Sequence, residues 1–125
     1  MLTPVFASAL ALLLVVLSFR VLLMRRKLGI GVGNGGNRKL ERAIAAHSNF
    51  IEYTPIALLL MYFYESGGGS ATRVAVLGIL LLLGRMIHAY GTSQINENYV
   101  FRVTGMVMTF MVIIGLSIQL LISYL

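Results

Sequence analysis

Apolar stretches close to 20 residues long recur along this chain, and they constrain its fold more than any other feature. A helix rising about 1.5 Å per residue needs about 20 mostly apolar residues to cross a hydrocarbon core of about 30 Å. Four segments meet that length: residues 2–24, 39–64, 71–90 and 103–125. Composition points the same way. Of the 125 residues, 58% are hydrophobic and only 11% are charged, whereas a soluble domain carries about 25% charged residues. The polar surface needed by a water-exposed globule is missing. The expected fold is an all-α membrane protein, a four-transmembrane-helix antiparallel bundle forming one domain over residues 1–125.

The four segments differ in character. The first has Pro4 in its opening turn, where a missing N–H costs little, and it closes on Arg25-Arg26-Lys27. A cleavable signal peptide places its charges before the apolar run and a small-residue cleavage site after it, so this segment reads as a retained span. The second is cleanly apolar only over residues 56–63 and must therefore include the polar stretch 42–53 to cross. The third contains Arg85 and His88, and the fourth carries no charge. Between them, GIGVGNGGN at 29–37 follows a helix and lacks a Gly-Lys-Ser/Thr ending, so it reads as a flexible connector rather than a phosphate cradle. Residues 66–70 form a tight turn and 91–99 a short polar loop.

Charge supplies the topology. Ten Lys and Arg against four Asp and Glu give a net +6. A nucleic-acid binder spreads its cations along a polar face; here they gather at the ends of apolar runs, and no nucleic-acid partner is expected. Antiparallel spans bring Arg20, Arg25, Arg26, Lys27, Arg38, Lys39, Arg42, Arg85 and Arg102 to one side and leave Arg73 on the other. The positive-inside rule then puts both termini outside and the two basic connections in the cytoplasm. With no Trp in the chain, the interfacial belt falls to Tyr62, Tyr64 and Tyr124 at one boundary and Tyr90 and Tyr99 at the other.

An ionisable group deep in a span costs about 2.5–3.5 kcal/mol on insertion scales and is kept for function or interior pairing. Arg42, His47, Glu52, Arg85 and His88 are such groups, and Asn49 is a polar amide among them. At 100° per residue, Arg38, Arg42, Asn49 and Glu52 fall within roughly 80° of one direction, while Arg85, His88 and Thr92 share a face of the third span. Two polar stripes near one membrane face imply a hydrated cavity between helices, with Arg102 closing it from the side. For Arg85 the competing expectation is an ion pair with Glu52 or Glu41; for Arg20, Arg25, Arg26 and Lys27 it is snorkelling to the interface. In the fourth span Gly105 and Thr109, with Gly115 and Ser117 beyond, have the small-residue spacing of close helix contacts and mildly suggest an oligomer seam. There is no Cys, so disulfides, zinc-thiolate centres and a protein thiol nucleophile are excluded, and no metal site is expected.

Residues 41–55 read ERAIAAHSNFIEYTP. The pattern E-R-x-x-x-A-x-x-N-x-x-E followed by Pro, entered from a basic connection, resembles the signature of the MAPEG family, the membrane-associated proteins in eicosanoid and glutathione metabolism. Residues 84–91, GRMIHAYG, are similar to the corresponding stretch of its bacterial inner-membrane members. The resemblance covers essentially the whole chain. It implies a homotrimer in the bacterial inner membrane, multi-pass with periplasmic termini, holding glutathione between subunits at the cytoplasmic end while apolar substrates arrive from the lipid. It implies that Arg25, Arg26, Asn49, Glu52 and Tyr53 contact glutathione, that His47 stands at a polar ligand position, and that Arg102 stabilises the thiolate. Arg42, Arg85 and His88 border the same expected pocket.

The chemistry suits those residues. Two carboxylates call for guanidinium forks, an ammonium calls for an acid such as Glu52, and a thiol of pKa about 8.5 needs a nearby cation to ionise at neutral pH. A shift of about two units corresponds to about 2.7 kcal/mol. The sequence departs from the family at Ala45, Ser48, His88, Thr92 and Val103, which argues against specialised eicosanoid synthesis. The expected function is a glutathione-dependent transferase or peroxidase-like enzyme acting on hydrophobic electrophiles. The alternative is a non-catalytic lipid-binding or scaffold protein of the same family. A channel is disfavoured because a one-sided polar cluster provides no path across the membrane.

Overall fold

The computed structural model describes residues 1–125 as four long helices: α1 (Thr3–Leu28), α2 (Arg38–Ser66), α3 (Ala71–Ser93) and α4 (Tyr99–Tyr124). Their ends follow from local chemistry. Helix α1 carries Arg25, Arg26 and Lys27 in its last turn, where cations complement the partial negative charge of the helix terminus, and Gly29 ends it at φ 69°, a left-handed conformation that favours glycine. Asn37 caps α2 by accepting from the Leu40 N–H at 3.0 Å, Ser70 caps α3 from Arg73, and Asn98 caps α4 from Val100. Such caps satisfy N–H groups that have no partner inside the helix.

Two expected boundaries move. Helix α3 continues past Tyr90 to Ser93, and α4 starts at Tyr99 rather than Val103. The polar loop thus shrinks to residues 94–98, because the Gln94 N–H closes onto the Gly91 carbonyl and Asn98 supplies the cap. Arg102 consequently sits in the first turn of α4.

Helices α1, α3 and α4 are long and apolar enough to cross a membrane. Helix α2, at 29 residues, has the length. Of the four expected spans it alone lacks the apolar composition, since charged and amide side chains crowd its first half. It contacts all three other helices, whereas α1 and α4 do not touch. Leu10 and Leu17 of α1, Phe50, Ala57 and Met61 of α2, Val74 and Leu81 of α3, and Val112 and Leu116 of α4 form the buried core.

Helices α3 and α4 share the most extensive contact. A Cβ on Gly105 would stand 2.5 Å from the Gly84 carbonyl oxygen and 2.6 Å from the His88 Cβ. Only glycine permits that approach. The expected oligomer seam at Gly105 and Thr109 is therefore corrected: both are buried inside the chain, with the Thr109 hydroxyl donating to the Gly105 carbonyl at 2.8 Å. Gly115 is free of neighbours within 4 Å.

Candidate functional site

The polar side chains at the basic end divide into two clusters. In the interior, Arg85 is completely buried. Its Nη2 donates to Asn49 Oδ1 at 2.5 Å, its Nη1 lies 3.4 Å from Thr109 Oγ1 and 3.6 Å from Met106 Sδ, and its guanidinium carbon sits 5.8 Å from the centre of the Phe50 ring. The expected ion pair with Glu52 or Glu41 does not form. Asn49, on the same helix as both acids, reaches Arg85 instead, and an amide oxygen, a hydroxyl and an aromatic face replace a counter-ion. His88, one turn further along α3, is buried with Nε2 3.5 Å from the Thr92 hydroxyl.

The second cluster lies where α4 begins. Glu97 Oε1 accepts from both Arg42 of α2 and Arg102 of α4, the latter at 2.6 Å, and the Glu97 side chain is only 2% exposed. Arg102 also lies 5.6 Å from the Tyr99 ring centre. Beside the cluster is an open groove of about 350 Å³ lined by Arg38, Glu41, Arg42, Ala45 and Arg102. The continuous hydrated cavity expected between two stripes is thus corrected to this groove, whose lining includes neither Arg85, His88, Asn49 nor Glu52. Asn49 turns to the interior, while Glu52 is exposed and makes no ion pair.

The remaining candidates are placed individually. Arg25 donates to the Gly33 and Ile30 carbonyls at 2.7 and 3.3 Å, and so ties down the glycine-rich connection. Arg26 is exposed. His47 Nε2 is within hydrogen-bond distance of Ser18 Oγ, 3.0 Å away, and that hydroxyl also lies 2.8 Å from the Leu14 carbonyl oxygen. Tyr53 packs edge-on against Phe110, with ring centres 5.4 Å apart. The structure brings Arg42 and Arg102 together through Glu97, and Asn49 to Arg85; it leaves Arg25, Arg26, His47, Glu52 and Tyr53 outside both clusters.

Glu97 was invisible to the motif. The available signal was charge: it is the one acid in the connection between the third and fourth spans, set among cations in a chain with four acids in all. Arg38 of the expected stripe and Glu41, expected as a partner of Arg85, line the groove instead.

The groove's donor set can be tested against glutathione. Three guanidinium groups and one carboxylate match a ligand with two carboxylates and an ammonium. Two buried polar atoms of the ion-pair cluster, Arg102 Nε and Glu97 Oε2, have no hydrogen-bond partner. The charges of the lining residues fit the group.

The model of the MAPEG family matches residues 3–122. The chain is 42% identical over 91 residues to "Inner membrane protein YecN" of Escherichia coli strain K12, covering 73% of this chain and 70% of that protein, and matches the same protein of strain CFT073 to the same extent.

Proposed function

This chain belongs to the MAPEG family, and from that premise we propose that it is a glutathione-dependent transferase or peroxidase-like enzyme of the bacterial inner membrane, acting on hydrophobic electrophiles. The observation that carries the reading is the Arg42–Glu97–Arg102 cluster beside a groove that also presents Arg38 and Glu41. Glutathione supplies the thiol that a chain without cysteine lacks. Arg38 and Arg42 hold its carboxylates as bidentate donors, and Glu41 or an exposed Glu52 takes its ammonium. Arg102 is the residue assigned to the thiolate charge. Its tie to Glu97 through Nη2 holds the guanidinium in place, while the side chain stays partly exposed.

The assembly in this reading is a homotrimer, with the basic end cytoplasmic and both termini periplasmic. In this reading Glu52 and Arg26, exposed and without ion-pair partners within the chain, act on a ligand shared with a neighbouring subunit.

The test is thiolate formation. Wild-type protein is expected to develop ultraviolet thiolate absorbance on adding glutathione at neutral pH, and Arg102→Ala to lose it while remaining folded. Absence of the signal in the wild type defeats the enzyme reading. One observation favours the alternative of a non-catalytic lipid-binding or scaffold protein: Glu97 already neutralises part of the charge that Arg102 would offer a thiolate. Calorimetry separates the two, since that alternative gives no saturable heat with glutathione.

A further inference from the structure

A larger cleft, about 710 Å³, opens at the same basic end between the close of α1, the start of α2 and the α3–α4 connection. It shares no residue with the glutathione groove, and its assignment is independent of the proposed enzyme function. Arg20, Lys27 and Lys39 line it, and no carboxylate does. Both ion pairs of the chain belong to Glu97, so these three cations have no protein counter-ion. Like charges converging on one concavity raise its potential and call for an anion.

Arg20, Met24 and Lys27 follow at spacings of four and three, which stack on one face of α1. Arg20 lies eight residues before the helix end, about 12 Å along the axis, and its guanidinium donates to Ser93, whose hydroxyl in turn donates to the Ala89 carbonyl at 2.5 Å. Arg20 is only partly exposed and is fixed to the end of α3, as a cation serving only as a topology anchor need not be. Lys27 and Lys39 are exposed. The remaining wall includes Met24, Leu28 and Ile95, apolar groups beside a cationic cleft at the end of three membrane-length helices. A free inorganic anion has no use for that apolar wall, but a lipid carrying phosphate and acyl chain uses both.

We propose that this cleft binds the phosphate headgroup of an anionic phospholipid, with Arg20 deep in the site and Lys27 and Lys39 at its mouth. The test uses full-length protein in mixed phosphatidylglycerol and phosphatidylcholine, with retained lipid measured by native mass spectrometry. Wild type is expected to retain phosphatidylglycerol preferentially, and Lys27→Gln with Lys39→Gln to lower that preference roughly tenfold or more. Arg73→Gln, which removes a charge at the opposite end, is expected to leave it unchanged. Equal retention of the two lipids by the wild type, or an unaltered preference in the double variant, overturns the proposal. Inorganic phosphate that strips the lipid at millimolar concentration reassigns the cleft to free phosphate and overturns it too. Should the double variant not fold, the wild type decides alone: its preference must fall as salt rises, and a salt-independent preference rejects the site.

Discussion

Arg85 is the residue that depends most on its neighbours. A guanidinium without carboxylate contact survives inside the bundle because Asn49, Thr109, Met106 and the Phe50 face share its donors and charge. Asn49→Leu removes the shortest of these bonds, and a hydrogen bond to a charged group contributes about 1.5–3 kcal/mol; thermal denaturation in detergent should register a loss of that order. Asn49→Asp, which restores an acceptor, should recover most of it. At the opposite end of the molecule Glu65 accepts from the Leu2 and Thr3 amides at 2.7 and 2.8 Å. Partial burial works to raise its pKa, but those two backbone bonds prevail and hold it below the usual carboxylate value. A depressed folded pKa means that the carboxylate's contribution is complete above its unfolded pKa and is lost as pH falls through the folded one. In acid, therefore, the start of α1 should loosen from the end of α2. The Leu2 and Thr3 amide resonances should titrate together in the wild type, and stay put in Glu65→Gln.

At the scale of elements, the α3–α4 contact is the least tolerant of change. Gly84 and Gly105 bring the two backbones together, and a side chain at 105 meets the Gly84 carbonyl and the His88 Cβ at once. Gly105→Val should destabilise the bundle by about 1–3 kcal/mol, the usual cost of overpacking, and displace His88 with it; Gly115→Val, where a Cβ has open space, should do neither. Paired melting curves decide this, and equal losses in the two variants would refute the close-contact explanation. Helix α2 makes a different point. Its polar first half is unsuited to lipid by itself, yet it is held among the three apolar helices because Arg42 and Asn49 find partners on other elements.

For the whole molecule, the asymmetry of charge is the basis of the proposed orientation. The connection after α1 belongs to the face with nine cations and the turn after α2 to the face with Arg73. The chain has no cysteine, so single thiols can be introduced without background. Gly68→Cys should react with an impermeant thiol reagent in intact cells, and Asn34→Cys only in inverted vesicles. The opposite result would reverse the proposed topology and turn both clefts to the periplasm.

By itself the sequence determined the helices, their approximate ends, the basic face and the family, because each rests on composition, spacing or a local motif that needs no knowledge of neighbours. Apolar runs must be helical in a bilayer, since every backbone polar group has to be satisfied within the segment. The residue stripe on α2 was also legible, but its meaning was not. Periodicity states which side chains share a face; it does not say what lies opposite. Only the tertiary structure sent Asn49 to Arg85, paired Arg42 and Arg102 through Glu97, and left Glu52 unpaired. It also spent Gly105 and Thr109 on packing within the chain rather than between copies. Those outcomes depend on the three-dimensional approach of segments tens of residues apart, and on which partner each buried charge meets first.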